Sequence, residues 1–151
     1  MPNALIATDG SDFAVEAARR ALALLDPSLE LVVAIVVAPP VLAGGAPLGP
    51  ADGVGPAVVD PETTAELDHA LTEEAQAGLQ RTVASLGRDA ATRVLHGDPA
   101  AEICREAEDG GYDLVVVGSH GYGVVKRVLL GSVSHHVLHH APCPVLVVRV
   151  R

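Results

Sequence analysis

Short aliphatic runs alternate with helical segments along the chain, and that alternation restricts the fold more than any other feature. Residues 4–8, 29–38, 92–96, 113–117 and 145–150 are rich in Val, Leu, Ile and Ala and read as strands. Residues 13–25 place apolar side chains at helical spacing with Glu16, Arg19 and Arg20 on the other side, and Asp26-Pro27 stops the pattern. Residues 63–86 read as a long amphipathic helix ended by Gly87. Asp98-Pro99 opens a helix to about residue 108, closed by Gly110-Gly111, and Gly131-Ser132 opens a last helix to residue 140. The order β-α-β-loop-α-β-α-β-loop-α-β forces parallel pairing through right-handed crossovers, with helices on both faces of a doubly wound sheet. Unbroken aliphatic strands suit such a doubly covered sheet. Of the 151 residues 49% are hydrophobic but only 2% aromatic, so the core must be built from Val, Leu, Ile and Ala. A chain of this length is expected to form one domain, residues 1–151, without covalent staples.

In open parallel sheets ligands bind beyond the carboxyl ends of the strands, where the winding reverses. That rule points to Asp9, to residues 35–37, to Gly97 and to Gly118. Residues 39–61 are crowded with proline and glycine and read as a long flexible loop after the second strand, either a lid or a solvated insertion.

Several function classes are disfavoured. A net charge of −9 opposes general nucleic-acid binding, which needs many Lys and Arg contacts to phosphate. No apolar run approaches the roughly 20 residues of a membrane span, and the opening residues lack the basic region of a signal peptide. Cys104 and Cys143 fall in different elements with no C-x-x-C, so neither disulfide nor zinc framework is indicated, Cys104 reads as core filler, and a cytoplasmic location is expected. Neither a Ser-His-Asp set nor a nucleophilic cysteine emerges, and the chain lacks the Gly-Lys-[Ser/Thr] of P-loop hydrolases, so efficient phosphate-ester hydrolysis is not expected, although slow turnover is compatible.

The fourth strand runs into Gly118-Ser119-His120-Gly121, and nine residues later Gly131-Ser132-Val133-Ser134 starts a helix. Glycine at 118 and 121 lets the backbone turn sharply and approach a ligand. Gly131 and Ser132 bring N–H groups and a hydroxyl to the positive end of a helix, a site for phosphate oxygens. His120 is a candidate phosphate contact, and Lys126 and Arg127 either meet a terminal phosphate or solvate the surface.

These residues are similar to the universal stress protein family, and within it to the branch that binds ATP. The resemblance covers nearly the whole chain: the opening Ala4-Leu5-Ile6-Ala7-Thr8-Asp9-Gly10-Ser11, the Gly97-Asp98-Pro99 turn, the run from Asp113 to Gly121, Leu129-Leu130-Gly131-Ser132-Val133-Ser134, and the ending from Cys143 to Arg149. It implies a five-stranded sheet in order 3-2-1-4-5, a homodimer, and ATP carrying Mg or Mn on its phosphates. By position, Ala7, Thr8 and Asp9 lie beside the adenosine, with Asp9 as acceptor for adenine or ribose. Ile35, at the second strand's end, meets adenine through its backbone. Val117 and Gly118 line the ribose and phosphate, and Gly121, Gly131, Ser132, Val133 and Ser134 cradle the phosphates. Gly10 stands where many members carry a larger residue. The expected role is a nucleotide-dependent regulatory module in a stress response; the alternatives are a weak ATPase or adenylate-handling enzyme, or an interaction module without nucleotide.

Other readings compete for single residues. Asp at a strand-to-helix turn is commonly a cap. A phosphoryl-accepting Asp9 would need an acidic cluster and a Lys at the last strand's end, where only Arg149 and Arg151 stand. His135, His136, His139 and His140 have the i, i+4 spacing of metal ligands, yet nothing completes a set of four. The last strand, residues 145–150, would leave an apolar edge that the same strand of a twofold mate can close.

Overall fold

A computed structural model describes residues 1–39, 61–120 and 130–150. Five parallel strands, β1 (Asn3–Ala7), β2 (Glu30–Val37), β3 (Ala91–His96), β4 (Leu114–Gly118) and β5 (Val145–Val148), form one sheet in the order β3-β2-β1-β4-β5. Helices α1 (Asp12–Leu22) and α2 (Pro61–Leu86) cover one face, α3 (Pro99–Asp109) and α4 (Ser132–His140) the other. The architecture is therefore the doubly wound α/β sheet that the alternation demands.

Strand side chains divide strictly by parity. Ala4, Ile6, Leu31, Val33, Ile35, Val37, Val116 and Val148 join α1 and α2, while Leu5, Ala34, Val115 and Val117 join Ile103, Ala107 and Val137 from α3 and α4. Among the described residues Tyr112 is the one aromatic in either core, its hydroxyl donating to Glu106 at 3.1 Å. Four alanines, Ala14, Ala17, Ala18 and Ala21, form the buried face of α1, and their small size lets the helix lie close to the sheet.

Local chemistry sets the element ends. Ser11 caps α1 by accepting from the Ala14 N–H at 3.2 Å, and Asp98 caps α3 by accepting from Ala101 at 2.9 Å with Pro99 behind it. α1 stops at Leu22 rather than Leu25, because Leu24 and Leu25 donate to Ala21 and Leu22 in a tightened i→i−3 turn. α2 starts at Pro61, which belongs to the helix and not to the preceding stretch; a first-turn proline loses no intrahelical bond. Its first ten residues are all exposed, and the helix meets the sheet through Ala75, Gly78, Leu79, Thr82 and Leu86. β5 pairs only as far as Val148, two residues short of the span read from the sequence, since β4 ends opposite it at Gly118. Residues 40–60, most of the expected loop, lie outside the described residues, as do Gly121, Lys126 and Arg127.

Candidate functional site

The strand order reverses between β1 and β4, so their carboxyl ends open the crevice where α/β sheets hold ligands. Three segments meet there: the β1–α1 turn, the end of β4 and the start of α4.

The β1–α1 turn is built by its own short polar side chains. Asp9 Oδ1 accepts from the Ser11 N–H at 2.9 Å and the Ser11 hydroxyl at 2.6 Å, so part of this carboxylate organises the turn that presents it. Thr8 is buried; its Oγ1 accepts from the Gly10 N–H at 3.1 Å and lies 3.2 Å from Thr82 Oγ1. Thr82 gives its own proton to the Gly78 carbonyl at 2.8 Å, which leaves Thr8 as the donor between the two hydroxyls. The Thr8 side chain is thus committed to α2 and to its own turn, and its backbone N–H donates to the Ala34 carbonyl at 2.9 Å. Ala7, half-buried, ends β1 opposite Ala34.

Gly10 adopts φ +76°, and a Cβ there would stand 3.0 Å from the Gly78 Cα. A side chain at position 10 would meet helix backbone, which explains the glycine there. Arg81 completes the contact by donating to the Gly10 carbonyl at 2.9 Å. Gly78, Arg81 and Thr82 escape a reading of the sequence; the one available signal is the isolated Gly78 inside a long helical pattern.

Ile35 is not at the end of its strand. Val36 and Val37 continue the ladder against Leu95 and His96 of β3, so β2 overshoots β1, whose pairing stops at Ala7 against Ala34. The Ile35 side chain is buried toward Gly10 and Gly78, which leaves its backbone as the part that can approach a ligand.

The two ends of the β4–α4 connection are stitched together although the residues between them fall outside the description. The Ser119 N–H donates to the Val148 carbonyl at 2.8 Å, and the Gly131 N–H donates to the Ser119 carbonyl at 2.8 Å. The buried Ser134 hydroxyl donates to the Gly118 carbonyl at 2.5 Å, so this residue can offer a phosphate its N–H but has already placed its proton. Ser119, overlooked in the sequence, is the junction of this corner; its Oγ also lies 2.9 Å from His120 Nδ1. Val117 is buried against α3 and α4, His120 is half-buried, Ser132 is exposed and Val133 half-buried.

Gly131 is the N-cap of α4, with extended backbone (φ −69°, ψ 159°) and no side-chain cap. α1, α2 and α3 each carry an acidic residue in the first turn, Asp12, Glu62 and Glu102; α4 carries none. The positive end of α4 and the N–H groups of Ser132, Val133 and Ser134 therefore meet no anion from their own first turn. Beside this corner, Phe13, Ala17, Gly118, Ser119, His120, Val148 and Val150 line a shallow open hollow between α1 and the ends of β4 and β5. Burial pushes the Cys104 thiol up, with nearby Cys143 adding to the shift; burial likewise raises Cys143, so neither is poised as a thiolate nucleophile.

Comparison with known proteins agrees with this geometry. Universal stress protein MJ0531 of Methanocaldococcus jannaschii is 36% identical over 145 residues, 96% of this chain and 80% of the relative. The solved structure of MJ0577, from the same organism, superposes with a TM-score of 0.76 at 27% identity, covering 99% of this chain and 96% of that one. UspA of Lactobacillus plantarum superposes at 0.68 with 26% identity, covering 98% and 97%. The model of the Universal stress protein family matches residues 1–149, and the chain belongs to that family.

Proposed function

We propose that this chain belongs to the ATP-binding branch of its family and holds ATP in the crevice between β1 and β4. One observation carries the reading. β4 and α4 are hydrogen-bonded into a single corner, with glycine at the strand end and at the helix cap, and the N-terminus of α4, to which Gly131 gives no side-chain cap, lies there. Backbone N–H groups of Ser132, Val133 and Ser134 take the phosphates, and Gly118 and Gly131 keep side chains out of their way. Asp9, held by Ser11, accepts from the ribose or adenine, while Ala7, Thr8, Ile35 and Val117 offer backbone along the nucleoside. His120 and Gly121 border the phosphates.

Solved universal stress proteins carry AMP, dAMP and cAMP. At 17%, 19% and 24% identity these proteins share the fold with this chain, and the reading rests on its own strand end and helix start. Among the described residues no group of three or more His, Cys, Asp or Glu is placed to hold a metal ion, so Mg²⁺ or Mn²⁺ would arrive on the phosphate oxygens. There the ion would neutralise phosphate charge.

The chain then works as a nucleotide-dependent regulatory module in a cytoplasmic stress response. Val145, Leu146 and Val147 of β5 are half-buried and, among the described residues, pair only with β4, and the same strand of a second copy closes this edge in a homodimer. No helix among the described residues is long and apolar enough to cross a membrane. The test is to purify the chain, denature it and read the released material at 260 nm and by chromatography, then titrate ATP onto the emptied protein. Adenine nucleotide in the supernatant or saturable ATP binding is expected, and a time course of ADP formation separates a regulatory module from a weak ATPase. An empty protein that also fails to take up ATP would leave an interaction module in its place.

A further inference from the structure

Four histidines at the end of α4 play no part in the nucleotide site. With successive residues turning by about 100°, His135, His136 and His139 fall on the side away from buried Ser134 and Val137, and His140 on the flank of that side. His135, His139 and His140 are exposed and His136 is half-buried. The i, i+4 spacing brings them together as two ring pairs. The His136 and His140 centroids are 4.0 Å apart with planes inclined by 19°, and those of His135 and His139 are 4.6 Å apart at 54°.

One of these rings has its tautomer fixed by the backbone. His140 Nδ1 lies 2.8 Å from the carbonyl oxygen of His136. A carbonyl only accepts, so Nδ1 holds the proton and the neutral ring carries its lone pair on Nε2. A ring N–H held by a backbone carbonyl, which leaves the other nitrogen as the ligand atom, is the arrangement that metal-binding histidines use.

From this geometry we infer that the outer face of α4 binds a divalent transition-metal ion, with His136 and His140 as the principal chelate and His135 and His139 as a second, weaker one. Two imidazole bonds of about 2.0–2.1 Å need nitrogens roughly 3 Å apart. Stacked rings direct their in-plane lone pairs side by side, so the His136–His140 pair opens by side-chain rotation to bring both nitrogens onto one ion, and the tilted pair rotates likewise. Water or a donor from a second molecule completes the shell, because no third protein ligand among the described residues is placed to join. Imidazole selects Cu²⁺ first and Zn²⁺ or Ni²⁺ next. Mg²⁺ and Mn²⁺ prefer oxygen, so the ion on a bound nucleotide and the ion on α4 do not compete.

The test is a titration of the untagged full-length chain with Cu²⁺ and with Zn²⁺ against a chromophoric chelator, with electron paramagnetic resonance on the Cu²⁺ form. Micromolar binding and a spectrum with two nitrogen ligands are expected. His140→Ala and the length-matched His140→Gln should each weaken the tighter site on the order of tenfold or more, since the second bond becomes intermolecular. Replacing His139 and His140 together by Ala should remove both sites. His69→Ala on α2, where His69 faces Glu73 at 3.8 Å, should change nothing, and ATP binding should be unaffected in every variant. No micromolar binding to the wild type, or equal binding by the His140 variants, would overturn the inference.

Discussion

Gly131→Asp is expected to stabilise the fold slightly and to abolish ATP binding. The side chain of an N-cap residue projects toward the N–H groups of the first helical turn, which is why Asp or Ser there caps a helix. At Gly131 the backbone is already extended, so any residue adopts it, and a Cβ would meet the Ser119 carbonyl at 3.4 Å, a distance relieved by a small shift. An Asp in this place accepts from N–H groups that nothing in the first turn of α4 now caps, and its charge suits the helix dipole; together these are worth about 0.5 kcal/mol. The same carboxylate occupies the donors assigned to the phosphates and repels them. Losing two charge-assisted hydrogen bonds alone weakens binding by roughly 100-fold, about 2.7 kcal/mol. Urea denaturation and ATP titration of one preparation should therefore move in opposite directions. Retained affinity would exclude the helix start as the phosphate site.

Gly10→Val carries the largest expected loss of stability. Two effects add: a β-branched residue at φ +76° is strained, and its Cβ would stand 3.0 Å from the Gly78 Cα, in the backbone of a helix that cannot give way. About 3 kcal/mol is expected, a fall in Tm of roughly 10 °C for a chain of this size. Gly87→Ala separates the two effects. Gly87 also has positive φ, at +64°, but nothing lies within 4 Å of its added Cβ, so strain alone should cost about 1 kcal/mol. Equal losses in both variants would mean that the approach of α2 to the β1–α1 turn is not tight.

What could be read from the residues depended on how local the controlling chemistry is. Aliphatic strands, the Asp98-Pro99 start, the Gly110 stop and the glycines at 118 and 131 act within a few positions, and each shows in the sequence. The strand order entered through the family resemblance, and the sheet has that order. The contact of Gly10 with Gly78 and the bond from Arg81 join residues about 70 positions apart, and a glycine inside a helical pattern does not announce its partner. The overshoot of β2 past β1 is a matter of register, which moved Ile35 inward from the strand end. Ser134 entered the phosphate cradle through the family resemblance, and its hydroxyl proton serves to pin α4 to the end of β4.

The central claim is that backbone N–H groups at the start of α4 grip the triphosphate where β4 hands over to that helix. A crystal structure of the chain with ATP and Mg²⁺ measures this directly. The account predicts phosphate oxygens about 2.7–3.1 Å from N–H groups of residues 132–134, the nucleoside along the ends of β1 and β2, and Asp9 within hydrogen-bond reach of it. Phosphates bound elsewhere, with the Gly131 corner empty or closed by side chains, would contradict it.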